Sequence, residues 1–207
     1  QNGDFPAFQQ QLPPRDYFTD EIRRQLSAQF GAEEFFGGGL AIRATIDPKL
    51  QQVAAHALQQ ALEKYDRGRG VWRGTRVKVP AEQLGDEQAW RAALSDADVP
   101  RDIEGWFPAV VLALGDSEAT IGIEGIEGTA QIPAKDVQWA RKRLADGTLA
   151  PKAKVASDLL ELGDVVLVRR MTSDSDGSFI RWTLRQVPEV QGGFMAMDVN
   201  TGRVIAM

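Results

Sequence analysis

The chain offers few side chains that could form a catalytic centre. It contains no cysteine, which excludes disulfides, thiolate nucleophiles and cysteine-ligated metals. A serine acyl-enzyme centre would need Ser-x-x-Lys, a Ser-x-Asn-type motif and Lys-Thr-Gly, because the lysine must handle the proton of a serine one helical turn away. None of these motifs occurs in the sequence. The sequence therefore predicts no catalytic serine among these residues.

The remaining candidates for acid–base or metal chemistry have simpler explanations. His56, the single histidine, is predicted to lie on the outer face of an alanine-rich helix with no serine near it in sequence, so we interpret it as a surface or packing residue. One histidine cannot build a multi-histidine zinc site, and any metal site would have to be made of carboxylates. Asp174 and Asp176 flank a turn, which explains them better than paired catalysis does. We predict no catalytic residue, cofactor or metal site.

One cluster is suited to contact another molecule, and its members are Trp139, Arg141, Lys142 and Arg143. In a chain of net charge -5, three neighbouring cations more often form a solvated face. Nucleic acid is disfavoured, because its binding domains are usually basic and single-strand binders need several exposed aromatic residues. We keep these four residues as a candidate partner or glycan surface, with a solvated face as the alternative.

The first third of the sequence predicts two helices and a strand. Apolar residues recur every four positions within residues 15–31, which is typical of an amphipathic helix. Residues 40–46 alternate like a strand, and Asp47 and Pro48 are suited to cap and begin the next helix. Its predicted apolar stripe contains Leu50, Val53, Ala54, Ala57, Leu58, Ala61, Leu62 and Tyr65. Such a stripe predicts packing against a neighbouring element.

The remainder predicts an α+β, mainly β fold. A short helix is expected around residues 86–94, followed by five strand-like runs, which lie at 108–114, 118–124, 129–133, 164–171 and 178–187. Five short strands with one longer interruption, 134–163, resemble the five-stranded barrel of an OB-fold. The interruption contains a helix or helical turn around Trp139. Residues 192–207 predict a nearly all-apolar hairpin, which is typical of strands covered on both faces.

Several sequence blocks closely resemble class A, bifunctional penicillin-binding proteins of the 1a-like type. The most specific are "GLAIRATIDPKLQ" at 39–51 and "VQGGFMAMDVNTGRVIAM" at 190–207, and the order of the blocks is preserved from about residue 15 onward. The resemblance implies an interdomain linker at 1–74, an OB-like domain at 75–187 and the opening hairpin of the transpeptidase sheet at 188–207. Because the chain starts at Gln1 without a methionine and stops inside a predicted strand, we expect further sequence on both sides.

The resemblance also implies a setting and a role. The parent would be a membrane-anchored synthase on the periplasmic side of the bacterial inner membrane, with glycosyltransferase and transpeptidase domains flanking this chain. It would polymerise lipid-linked disaccharides and cross-link their stem peptides, and its catalytic residues would lie outside these residues. We expect a scaffold that positions the two catalytic domains. The alternative is a docking module for a protein activator, at 75–105 or 134–163. Peptidoglycan contact at Trp139 is a third hypothesis.

Overall fold

The structure, a computed structural model, describes residues 17–31, 35, 37 and 42–207. The chain divides into two compact units, one formed by Gln1–Gln60 with Gly192–Met207 and the other by Ala61–Gln191. The helices of the described part that span more than one turn are α1 (Tyr17–Phe30), α2 (Pro48–Arg69) and α3 (Glu87–Asp96). Among the described residues, no helix combines the length and apolar character needed to cross a membrane.

The helices of the smaller unit begin and end as their sequences predict. Gly31, with a φ of 83°, terminates α1 by donating its amide hydrogen bond to the Ser27 carbonyl at 3.0 Å. The Asp47 carboxylate caps α2, since it accepts hydrogen bonds from the amides of Lys49 at 2.8 Å and Leu50 at 3.2 Å. Local groups thus satisfy a carbonyl at the end of α1 and two amides at the start of α2.

The strand predicted at 40–46 is not formed over the part of it that the structure describes. Residues 40 and 41 lie outside the described residues, and 42–47 run without regular secondary structure. Only the Thr45 hydroxyl and the Asp47 amide donate hydrogen bonds to the neighbouring strand β9 (Val204–Ala206), at 2.5 and 3.0 Å. The segment lies beside β9 but makes too few backbone hydrogen bonds to count as a sheet strand.

The predicted C-terminal hairpin is present and short. Its strands, β8 (Ala196–Met197) and β9, pair antiparallel, and the Gly202 amide donates to the Asp198 carbonyl across the turn. Large apolar side chains of this hairpin are exposed, including Phe194, Met195, Met197, Val199 and Met207. Val199 is 93% exposed, which is unusual for a β-branched apolar residue in a hairpin.

The larger unit is built on a five-stranded antiparallel sheet that closes almost into a barrel, as predicted. Its strands are β2 (Trp106–Leu114), β3 (Glu118–Ile123), β4 (Ala130–Pro133), β6 (Val165–Thr172) and β7 (Phe179–Arg185). They follow the order β4-β3-β2-β6-β7 in the sheet, and β4 approaches β7. Fully buried aliphatic side chains fill the interior, among them Val111, Ile121, Ile132, Leu160 and Leu184. The mainly β, OB-like fold class is confirmed.

Helix α3 packs on the outside of this barrel through apolar side chains. Trp90 and Leu94 are 3% and 0% exposed and form a second core cluster with Val110 and Val165. The Trp90 ring lies so close to β3 that a Cβ added at Gly122 would come within 2.4 Å of it. A glycine at this position therefore makes room for the aromatic ring.

The insertion 134–163 contains little regular structure, and the helix or helical turn expected there is a single 3₁₀ turn. This turn covers Ala134–Asp136, and the chain then forms β5 (Arg141–Lys142), which pairs in parallel with β1 (Val71–Trp72). A further 3₁₀ turn covers Ala156–Asp158. Two of the residues predicted to be helical, Arg141 and Lys142, thus pair with β1 instead, and the Arg141 amide donates to the carbonyl of Gly70, the residue after α2.

Candidate functional site

The most distinctive feature of the larger unit is a buried carboxylate at the end of α2. Asp66, 2% exposed, accepts two hydrogen bonds from Nη2 of Arg73, at 2.8 and 2.7 Å, and one from Nε2 of Gln186 at 2.7 Å. Gln186 also donates to the Val71 carbonyl at 2.9 Å. A carboxylate so fully removed from water is stable only when its oxygens are satisfied in this way.

A second acidic residue of α2 is buried one turn earlier. Glu63, 7% exposed, lies 3.5 Å from Nη1 of Arg169 on β6 and 3.8 Å from Nη1 of Arg185 on β7. Burial, together with the nearby Arg169 and Arg67 charges, lowers the pKa of Arg185 to about 10. The barrel therefore presents a strongly cationic surface to the acidic face of α2.

Arg67 provides the third contact of α2 with the barrel. Its Nη1 donates to the Leu184 carbonyl at 2.8 Å, and its guanidinium stacks over the Trp139 ring at 4.4 Å. Burial lowers the pKa of Arg67, although Asp136 and Glu63 act in the opposite direction. We call Glu63, Asp66 and Arg67, with the residues that bind them, the polar joint.

The face of α2 that contacts the barrel is polar in its last turns, whereas the sequence predicted an apolar stripe there. Within residues 61–69 the buried positions are Glu63 and Asp66, whereas Tyr65, which the stripe includes, is 59% exposed. In the first half of the helix, Ala54 is buried but Val53 is 64% exposed. The prediction is wrong for the second half because charged side chains with buried partners can replace apolar ones on a packed face.

The structure separates the four residues of the predicted partner or glycan surface. Trp139 packs edge to face against Trp72, with ring centroids 6.2 Å apart, and the Arg67 guanidinium lies over the Trp139 ring. Arg141 pairs through its amide with the Gly70 carbonyl at 2.8 Å and does not line the groove described next. Lys142 and Arg143 do line that groove. Trp139 therefore packs against the core, and Lys142 and Arg143 share the groove without Arg141.

A groove of about 460 Å³ lies between the segment that follows β1 and the segment that follows β5. Its cationic lining residues are Arg69, Arg73, Arg76, Lys78, Lys142 and Arg143, and its acidic ones are Glu161, Asp164 and Glu189. Apolar side chains, including Trp72, Leu159 and Val165, also contribute. We call this the basic groove.

Most of the acidic charge of the basic groove is already paired. Glu161 accepts from Nζ of both Lys78 and Lys142, each at 2.5 Å, and Lys78 also lies 3.4 Å from Asp164. The hydrogen bonds from Lys142 and Lys78 lower the pKa of Glu161 from 4.5 to about 2. Glu189 lies 3.4 Å from Nε of Arg73. The carboxylates of the groove are thus charged and engaged.

Sequence reasoning missed the polar joint and most of the basic groove. The joint leaves a weak signal, since Glu63, Asp66 and Arg67 recur at a three- and four-residue spacing on one helical face. For the groove, the signal was the basic character of residues 67–78, next to the cluster at 141–143. Among the described residues, no cluster of three or more histidine, aspartate or glutamate side chains could hold a metal ion.

Known proteins share this architecture. The family model described as "Penicillin-binding protein OB-like domain" matches residues 72–190. A crystal structure of penicillin-binding protein 1A from Haemophilus influenzae superposes with a TM-score of 0.67 at 21% identity, covering 93% of this chain and 25% of that one. This structural likeness confirms the fold.

Relatives of known sequence extend the match over most of the chain. Penicillin-binding protein 1A of Rickettsia prowazekii is 33% identical over 193 residues, and that of Escherichia coli is 27% identical over 195 residues. Each alignment covers 92% of this chain and 21% of the relative. The chain therefore spans about one fifth of the length of these relatives.

With more than half of its residues matched, the chain belongs to the penicillin-binding protein OB-like domain family. The finer resemblance, to class A penicillin-binding proteins of the 1a-like type, is confirmed by the relatives, which are named penicillin-binding protein 1A. The domain boundaries predicted at residues 74 and 187 stay a prediction. For comparison, the family match runs over 72–190 and the larger compact unit over 61–191.

Proposed function

We propose that this chain is a non-catalytic scaffold within a bifunctional peptidoglycan synthase. It would hold the glycosyltransferase and transpeptidase domains of the parent protein in an arrangement that allows both to act, on the periplasmic side of the inner membrane. The family membership supports a place in such a synthase. The membrane would be reached only through the parent's N-terminal anchor.

The polar joint is the observation that carries the positioning role. An apolar contact tolerates sliding and rotation of a helix, whereas hydrogen bonds and ion pairs have narrow optima of distance and angle. Asp66, with its three strong hydrogen bonds, fixes the rotation of the last turns of α2 about the helix axis. A segment held in this way is suited to transmit orientation.

The exposed hairpin supports the same proposal. Met195 is 60% and Val199 is 93% exposed, although strands of this composition usually lie within a covered sheet. We propose that these side chains are covered by the transpeptidase sheet of the parent. Labelling of Met195 by an oxidant, followed by mass spectrometry, should be strong in this chain and weak in the full-length synthase.

The positioning role is tested by weakening the joint in the full-length synthase. Asp66→Ala with Glu63→Ala should leave each activity detectable while cross-links formed per polymerised disaccharide fall severalfold. Both quantities are measured on lipid-linked substrate by chromatography of digested product. Glu87→Ala, which breaks an exposed ion pair on α3, is the matched control. Unchanged cross-linking per disaccharide in a folded double variant would refute the positioning role.

Docking of a protein activator is the second candidate function. The basic groove supports it, because it places Lys142 and Arg143 of the 134–163 insertion on an accessible concave surface. A photo-crosslinker at position 143 of the full-length synthase should trap a defined envelope protein, and the same probe at Lys152, outside the groove, should not. Equal labelling from both positions would argue against a dedicated docking surface.

Direct contact with peptidoglycan is the least supported hypothesis. Trp139, the residue proposed for it, is covered by Arg67 and packs against Trp72. Titration with muropeptides should therefore leave the Trp139 indole NMR signal unbroadened. A labelled penicillin should likewise fail to acylate this chain, since no Ser-x-x-Lys motif is present.

A further inference from the structure

We propose that the basic groove is a binding site for an acidic peptide segment, held by the guanidinium groups of Arg69, Arg76 and Arg143. This inference does not depend on the positioning role of the polar joint. It goes further than the activator docking proposed for the same groove, because it names the chemistry of the ligand. Its support comes from the charge balance of the groove, the backbone of Arg76 and the mixed character of the lining.

The charge balance of the groove favours an anion. Six cations and three carboxylates line it, and all three carboxylates are paired with Arg73, Lys78 or Lys142. Within the described part of the chain, the guanidiniums of Arg69 and Arg76 have no hydrogen bond or ion pair, and Arg143 donates only to the Gly147 carbonyl at 3.2 Å. An incoming carboxylate therefore meets three available guanidiniums and no unpaired acid.

Arg76 occupies a backbone conformation that an arginine adopts only at a free-energy cost. Its φ is 64°, and among the described residues it is the sole non-glycine with a positive φ. The conformation is held by Thr75, whose hydroxyl donates to the Val165 carbonyl at 2.5 Å and accepts from the Val77 amide at 3.2 Å. Glycine would fit this position without strain, so the presence of an arginine at a strained position points to a use for its side chain.

The lining favours a peptide over a small inorganic anion. Trp72, Leu159 and Val165 contribute apolar surface to the groove. An aliphatic side chain lying between two carboxylates of a peptide can pack against this surface, whereas a phosphate cannot. A volume of about 460 Å³ is in the usual range for sites that take ligands larger than a single ion. Arginine forks also pair bidentately with carboxylates spaced along an extended chain.

Isothermal titration calorimetry of this chain with the peptide acetyl-Glu-Leu-Glu-Leu-Glu-amide tests the proposal. Wild-type protein should bind this peptide. The analogue with glutamine in place of each glutamate should bind at least about tenfold more weakly, because tenfold corresponds to the loss of even one charge-assisted pair. Arg69→Gln with Arg143→Gln should lower the affinity by about thirtyfold or more. Lys135→Gln with Lys152→Gln, an equal charge change outside the groove, should leave the affinity unchanged.

Arg76→Gly separates binding from stability. The variant should have an unchanged or higher Tm, because the strained backbone is relieved, while its affinity for the peptide falls about tenfold. The proposal would be overturned if wild-type protein failed to bind, if the glutamine analogue bound equally, or if the groove variants kept full affinity. Inorganic pyrophosphate binding as tightly as the peptide would overturn the peptide assignment in favour of a small-anion site.

Discussion

Helices α2 and α3 both pack on the barrel of the larger unit, but by opposite chemistry. Helix α3 buries Trp90 and Leu94 against β-strand side chains. The last turns of α2 bury Glu63 and Asp66 among arginines and a glutamine. One interface gains free energy by removing apolar surface from water, whereas the other recovers the cost of burying charge through specific hydrogen bonds.

The difference indicates different roles for the two helices. An apolar interface such as that of α3 closes the core and tolerates conservative changes of similar volume. A buried ion network adds little to the free energy of unfolding beyond what apolar residues of the same shape would add. Removing one of its partners nevertheless destabilises the fold strongly, because a buried charge is left without its partner. The polar joint is therefore best understood as fixing orientation, and α3 as completing the fold.

Removal of Asp66 should have the largest effect on stability. Asp66→Ala removes the acceptor of three hydrogen bonds, although Arg73 keeps Glu189 and Gln186 keeps the Val71 carbonyl. We therefore expect a loss of about 3 kcal/mol in the free energy of unfolding of the larger unit. Urea denaturation followed by tryptophan fluorescence measures this loss, because all five tryptophans lie within residues 61–191. The control Asp174→Ala, in an exposed turn, should stay within about 0.5 kcal/mol of wild type. A similar free energy of unfolding for both variants would contradict the claim that α2 is attached to the barrel through a buried ion network.

An added methyl group on the apolar side should have the next largest effect. Gly122→Ala places a Cβ within 2.4 Å of the Trp90 ring, so the ring and α3 must shift. We expect a loss of about 1–3 kcal/mol, measured in the same urea experiment. Gly85→Ala, where the added Cβ meets nothing within 4 Å, should show no such loss. If Gly122→Ala had wild-type stability, the close packing assigned to α3 would be wrong.

Loss of the arginine that caps α3 should have a smaller effect. Arg101 donates to the Leu94, Ser95 and Ala97 carbonyls at 2.8 to 2.9 Å, which satisfies the exposed end of the helix. Arg101→Ala should cost about 1 kcal/mol because these hydrogen bonds are charge-assisted but partly exposed to water. Hydrogen exchange of the last turn of α3 should accelerate, and exchange in β2 should not. Acceleration in both would indicate a global effect.

The pH dependence of Glu161 should be the smallest effect. Its pKa is lowered in the folded chain from 4.5 to about 2 by hydrogen bonds from Lys142 and Lys78, so its contribution to stability is present above pH 4.5 and is lost as the pH falls through about 2. Carboxyl-carbon NMR should give a titration midpoint near 2, and Glu161→Gln should remove that signal. A midpoint near 4.5 would mean that the two lysine contacts do not persist in solution.

Hydrophobic pattern predicted the parts of this fold that are held by apolar contacts. The five barrel strands and α3 lie within a few residues of their expected positions, because alternation and helical spacing directly report which side chains leave water. The same reasoning failed on residues 61–69, where the buried positions are Glu63 and Asp66. A buried carboxylate can be recognised only through its partner, and Gln186 is 120 residues away from Asp66.

The candidate surfaces show the same limit. Arg141, Lys142 and Arg143 are adjacent in sequence, yet Arg141 does not line the basic groove. Arg76, which does, belongs to the basic residues 67–78, but nothing in the sequence indicates its positive φ, which accompanies the contact of Thr75 with β6. Net charge and local clusters therefore identified a basic region but not the side chains that share one concave surface.

A double-mutant cycle between Asp66 and Arg73 tests the central claim most directly. The free energies of unfolding of Asp66→Ala, Arg73→Ala and the double variant are compared with wild type by urea denaturation. The exposed pair Glu87–Arg91 on α3 provides the reference cycle. We expect a coupling of about 2–3 kcal/mol for the buried pair and about 0.3–0.5 kcal/mol for the exposed one. Equal, small couplings for both pairs would contradict the assignment of the polar joint as a rigid attachment.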